Sequence, residues 1–164
     1  MKVSYGRSGA FALIAAMFAA IFSSHSARAD SPFSNLAGTW SGQGKVRLEG
    51  GKSETIKCRA YYTLKSGGSD LGMAIRCASP ASKIEMRASL SYSGGNVSGN
   101  WEERTYNAAG AVSGSASSSR MSLTIQGGGL NGRMSVRLGD RSQSVTISTT
   151  GSTFRGLDLS LSRG

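Results

Sequence analysis

Thiol chemistry in this 164-residue chain is confined to two cysteines, Cys58 and Cys77. They bracket the stretch CRAYYTLKSGGSDLGMAIRC and stand equally far from its central Gly67-Gly68. Neither belongs to a CxxC motif, and the only histidine, His25, lies in an N-terminal stretch expected to be removed. Without a neighbouring imidazole to lower a thiol pKa, a structural disulfide is expected rather than a reactive thiolate. Losing His25 also argues against a histidine-dependent triad and against the common zinc sites. Glu102-Glu103 is the one adjacent pair of carboxylates, but neighbours on a strand point to opposite faces and cannot act together. No phosphate loop or nucleophile elbow occurs. The expectation is a protein with no catalytic residues, no metal and no cofactor, and therefore not an enzyme.

A two-residue hairpin turn would place two cysteines symmetrically about a Gly-Gly pair, because glycine adopts the positive φ that both turn positions need. Pairing outward from Gly67-Gly68 sets Cys58 opposite Cys77, Ala60 opposite Ile75, Tyr62 opposite Met73 and Leu64 opposite Leu71. The other face then carries Arg59 with Arg76, Tyr61 with Ala74, Thr63 with Gly72 and Lys65 with Asp70. One face is almost wholly apolar, and a slip by one residue would destroy that separation. Directly opposed antiparallel residues bring their Cβ atoms within disulfide reach, so Cys58 and Cys77 are expected to be bonded.

The same device recurs along the chain. A turn at Gly94-Gly95 pairs Tyr92 with Val97 and Ala88 with Trp101, and on the other face Arg87 with Glu102 and Glu85 with Arg104. A turn at Ser79-Pro80 sets Arg76 beside Glu85, giving an outer ladder of Arg59, Arg76, Glu85 and Arg104. Further on, Ser118-Ser119 pairs Ala116 with Met121, Gly139-Asp140 pairs Met134 with Val145, and a turn at Gly151 brings Ile147 near Leu157. Upstream, Leu36, Gly38, Trp40, Gly42, Gly44, Val46 and Leu48 share one face before the turn Glu49 to Lys52. Period-two alternation with no helical period after residue 30 predicts an all-β, up-and-down antiparallel meander of about ten strands. A meander leaves two raw edges unless it closes, so a barrel or flattened barrel is expected, with an open β-sandwich as the alternative.

The segment Leu36-Ala37-Gly38-Thr39-Trp40 opens the first strand, and Arg163 stands near the end of the last. A Gly-x-Trp at that place, with a late basic residue able to cover the tryptophan, resembles the calycin superfamily of lipocalins, fatty-acid-binding proteins and avidins. The resemblance implies a closed barrel whose interior holds a small apolar ligand, with Trp40 and Arg163 closing one end structurally.

The N-terminus combines Lys2 and Arg7, an apolar run from Ala10 to Phe22, and Ala27-Arg28-Ala29. This is the pattern of a cleavable secretory signal over 1–29, and the run is short for a membrane anchor of about 20 residues. Residues 30–164 are then expected to form a single domain, periplasmic or secreted. Removing Lys2, Arg7 and Arg28 from the 19 basic residues leaves 16 against 9 acidic ones, a net charge of about +7. Export makes nucleic acid a poor partner, and the anions then available are lipid head groups, acidic polysaccharides and acidic proteins. The alternative is that the charge only keeps the surface solvated.

Three functional readings follow. In the first, a soluble barrel holds a small lipophilic or amphiphilic ligand, its head group anionic or not, against inward Tyr62, Met73, Met86, Tyr92, Trp101 and Glu103. Glu103 would be a polar anchor inside the cavity or, alternatively, a wet residue past the end of the core. Small inward residues such as Gly42, Ala60, Ala88 and Gly99 either leave a cavity or let the walls collapse to native density. In the second reading the core is solid and a basic outer patch of Lys57, Arg59, Lys65, Arg76, Arg87 and Arg104 meets an envelope protein or polyanion. The third reverses the faces, with apolar residues meeting lipid in a small outer-membrane barrel. Oligomeric state is not legible in these residues.

Overall fold

A computed structural model describes residues 31–164; the signal segment expected at 1–29 lies outside the described residues. A 3-10 turn, Pro32–Asn35, leads into ten strands. They are β1 (Gly38–Leu48), β2 (Ser53–Lys65), β3 (Asp70–Ala78), β4 (Lys83–Ser93), β5 (Asn96–Glu103), β6 (Ala108–Ser117), β7 (Arg120–Gly127), β8 (Leu130–Leu138), β9 (Ser142–Thr150) and β10 (Phe154–Arg163). Each pairs antiparallel with its neighbours in the chain, and β1 closes on β10. The result is a closed up-and-down barrel, and the open sandwich is set aside.

The register follows from the turns. Gly67 (φ 66°, ψ 22°) and Gly68 (φ 97°) occupy the positive-φ region of a type I′ turn, and β2 and β3 pair outward from it with Cys58 opposite Cys77. Gly94 (φ 54°) and Gly95 (φ 88°) do the same between β4 and β5, setting Ala88 opposite Trp101. One expected register is corrected. Met134 pairs with Ile147, and Val136 with Val145, because the β8–β9 turn is centred one residue later than expected, on Asp140-Arg141. The Gly139 amide donates across that turn to the Ser142 carbonyl at 2.8 Å.

Apolar side chains point inward on every strand. Ile56, Leu90, Val97, Val112, Leu123, Ile125, Leu159 and Leu161 are buried there. The outward positions carry charges, including Lys57, Arg59, Arg76 and Arg87 on β2 to β4 and Arg133 and Arg137 on β8, together with many serines, such as Ser113, Ser122 and Ser144. This distribution corrects the membrane-barrel reading: a charged side chain facing the bilayer midplane costs about 2–4 kcal/mol, and here the outward wall is the polar one. No helix among the described residues is long and apolar enough to cross a membrane.

Several inward glycines do not leave space. A Cβ on Gly42 would run into the backbone of Ser160 and Leu161, and one on Gly99 into that of Ser89 and Leu90. They are places where adjacent strands coil tightly, which closure of the sheet requires.

One end of the barrel is plugged. Phe33 and Leu36, delivered by the 3-10 turn, are fully buried, and the Phe33 ring meets Tyr92 edge-on with centroids 6.1 Å apart. Trp40 is also fully buried and donates its indole hydrogen to the Leu36 carbonyl at 2.7 Å. The Arg163 guanidinium lies 4.6 Å from the Trp40 ring centroid and donates to the carbonyls of Asn35 and Ala37. A cation over an indole face thus ties the last strand to the segment that enters the first.

Candidate functional site

Inside the barrel a cavity of about 170 Å³ runs from Leu36, Tyr62 and Gln143 at the plugged end toward Ile84, Leu130 and Phe154 at the other. Its presence is written in the burial pattern. Met73, Ile75, Met86, Met134, Val145 and Leu157 all point inward from their strands, yet each is only half-buried. A solid core would have sealed those mid-strand positions. An apolar cavity of about 150 Å³ is enough to hold a benzene ring, so this one suits a ligand portion of one ring or a short chain. Met73, Met86 and Met134 have flexible thioether side chains that allow the wall to adjust to shape.

The lining carries no charged residue; its polar side-chain groups belong to Tyr62, Gln143 and Trp101. Tyr62 donates its hydroxyl hydrogen to Gln143 Oε1 at 3.2 Å in a buried contact. Burial pushes the Tyr62 phenol up to about 12, against a smaller opposing effect of the Gln143 hydrogen bond. The phenol is therefore a neutral hydrogen-bond donor at any physiological pH. Gln143 is 4% exposed, and its Nε2 has no hydrogen-bond partner among the described residues. Trp101 Nε1, on the opposite wall beside Gly110, is likewise without one. A buried donor left unpaired costs about 1–3 kcal/mol, which marks these two positions among otherwise satisfied side chains.

Of the inward residues expected at a ligand site, Tyr62, Met73, Met86 and Trp101 line the cavity. Tyr92 does not, because its ring packs against Phe33 in the end plug. Glu103 does not either, and it is not wet. It is 8% exposed, accepting from the amides of Glu85 (3.2 Å), Thr105 (3.0 Å) and Tyr106 (2.6 Å). Desolvation, the largest single influence on this carboxyl, acts to raise its pKa. The amides of Tyr106, Thr105 and Glu85 together outweigh it and hold the group below its ordinary value. Glu103 is thus an ionised clasp on the β5–β6 turn.

A folded-state pKa below the unfolded one gives stability that is fully present above the unfolded value and lost as pH falls through the folded value. Glu103→Gln should therefore destabilise the barrel by about 1–3 kcal/mol at neutral pH, with the gap from wild type closing below about pH 4. Urea unfolding of both proteins across that range checks it, and a gap that does not change with pH would refute the clasp.

Gln143 was not anticipated, although the signal was present. It shares the inward face of β9 with Val145 and Ile147, and a polar residue in that alternating row is the anomaly to look for.

On the outer wall, Lys57, Arg59 and Arg76 share a shallow groove with Lys83, a neighbour the sequence reading passed over. Arg87 and Arg104 lie along its flank, where they and Arg76 converge on Glu85 at 3.2, 3.6 and 3.4 Å. Hydrogen bonding from Arg87, with the charges of Arg76 and Arg104 behind it, holds the Glu85 carboxyl below its usual range. Lys65 is not part of this cluster: it sits at the plugged end, paired in register with Asp70. The cysteines form their disulfide between β2 and β3, with Cα atoms 4.1 Å apart.

No family model and no curated protein matches the chain. Solved structures share its fold. Rv2717c from M. tuberculosis is 14% identical, with a TM-score of 0.66 over 80% of this chain and 94% of that one. The S-type phycobiliprotein lyase CPES from Guillardia theta is 10% identical, with a TM-score of 0.53 over 80% of this chain and 90% of that one. At these identities the likeness is one of fold, and it supports the calycin resemblance at that level only. It also corrects the expectation that the protein is not an enzyme. One barrel of this shape is a lyase, so the lack of histidine among the described residues is no argument against catalysis.

Proposed function

We propose that this is an exported barrel that takes a small, neutral, lipophilic molecule into its interior, with a hydrogen-bond acceptor of that molecule placed at the Gln143 amide nitrogen, while the amide oxygen is held by the Tyr62 hydroxyl. The observation that carries the reading is the unpaired Gln143 amide in a wall otherwise made of aliphatic, thioether and aromatic groups. A carbonyl or ether oxygen would satisfy it. An ionised carboxylate would not be matched, because no cation lines the cavity and an uncompensated buried charge is expensive. Export is supported by the buried disulfide and by the signal-like N-terminus.

Three probes of similar size separate the possibilities. Acetophenone should bind about tenfold more tightly than ethylbenzene, the equivalent of about 1.4 kcal/mol, and benzoate should bind least. Gln143→Leu should abolish the preference for the ketone while retaining the hydrocarbon. Isothermal titration with the three compounds is the measurement. Benzoate binding best, or a ketone preference that survives in Gln143→Leu, would overturn the assignment.

A further inference from the structure

The outer groove is built differently from the cavity and points to a different ligand. It occupies about 690 Å³ against β1 to β4, and the disulfide-bonded Cys58 and Cys77 are among the residues that line it. The strand registers place its residues in two rows running across the strands. One row is Gln43, Lys57, Ala78 and Lys83; the next is Ser41, Arg59, Arg76 and Glu85. Ala78 therefore forms a low floor between two lysines, with two arginines directly alongside. Four cations surround a depression in which the one carboxylate is already engaged with Arg76, Arg87 and Arg104.

Arg59 and Arg76 are directly opposed like charges, an arrangement that destabilises a strand pair. Lys57, Arg59 and Lys83 form no salt bridge among the described residues and are exposed. An anion seated over Ala78 would relieve the repulsion and use all four side chains. A single carboxylate is a poor match for four cations, whereas phosphoryl oxygens carry more charge and fit the donor fork of an arginine. The hydroxyls of Ser41 and Thr105 and the Gln43 amide at the groove's margin add neutral donors.

We infer that this groove is a binding site for a phosphorylated ligand carrying two or more negative charges, independent of whatever the interior holds. The phosphate could belong to a soluble molecule or to a lipid head group, and the test separates the two. Tripolyphosphate is titrated into the protein at about 50 mM salt, where screening is modest, and flotation with phosphatidic acid vesicles is run in parallel. Lys57→Ala/Lys83→Ala should weaken tripolyphosphate binding at least about tenfold, since two charge-assisted contacts are lost. Arg133→Ala/Arg137→Ala removes the same net charge from exposed positions on β8, across the barrel, and should leave affinity within about twofold. Vesicle capture that depends on Lys57 and Lys83 would assign the phosphate to a lipid, and soluble binding alone would assign it to a free phosphate compound. Equal losses from the two double variants would reduce the effect to net charge and overturn the site, as would no binding in either arm. Gln143→Leu should change neither arm, which keeps this result separate from that of the cavity.

Discussion

Trp40→Ala should remove about 3–5 kcal/mol of stability, a large share of the 5–15 kcal/mol typical of a single domain. Three losses coincide at this residue. A fully buried indole is deleted, the Leu36 carbonyl loses its donor, and Arg163 loses the ring beneath it. Because Leu36 and Phe33 pack in the same plug, the cavity left behind should loosen the whole closed end rather than one side chain. Trp40→Phe keeps a ring for the guanidinium but not the indole hydrogen, and should cost distinctly less. Denaturant unfolding of the wild type and both variants decides it. A Trp40→Ala loss below about 1 kcal/mol would mean that the plug is not structurally important.

Replacing both cysteines, as Cys58→Ala/Cys77→Ala, should cost about 3 kcal/mol. The bridge closes a loop with a sequence separation of 19, and its stabilisation comes mainly from restricting the unfolded chain. Since the hairpin register is set by its turn and its apolar face, the variant should still fold to the same barrel. The cysteines are 5% and 8% exposed, so dithiothreitol should leave the native bond intact over times that reduce the unfolded protein completely. Thiol titration under native and denaturing conditions measures this. Rapid native reduction with unchanged stability would show that the bond adds little.

The legibility of the fold in the sequence came from repetition. Each Gly-Gly or Ser-Ser turn sets its own register, and an apolar face appears only when that register is right. The register at Gly139-Asp140 was missed by two residues because such a shift preserves the faces and leaves no contradiction in the pattern. The site was half legible for a related reason. Period-two alternation says which residues point inward, and so finds Tyr62, Met73, Met86 and Trp101. It does not say how far along the barrel axis a residue sits, which is what put Tyr92 in the plug and Glu103 in the turn. Whether inward glycines enclose space or remove it depends on strand coiling, a property of the closed sheet rather than of any segment.

Closure of β1 on β10 has a consequence for how the chain reaches this state. Nine of the ten ladders join strands adjacent in sequence and need only short loops to form; the tenth unites residues as far apart as Trp40 and Arg163, 123 positions away. Loop-closure entropy opposes that last contact more than any other, so the hairpins can zip into a curved ribbon before its ends meet. Until they do, the ribbon has two unpaired edges, and Trp40 on the first strand has not yet met Arg163 on the last. The latch that ties strand to strand in the finished barrel is thus also the marker of its final assembly step, and a chain arrested before it would associate edge to edge with its neighbours.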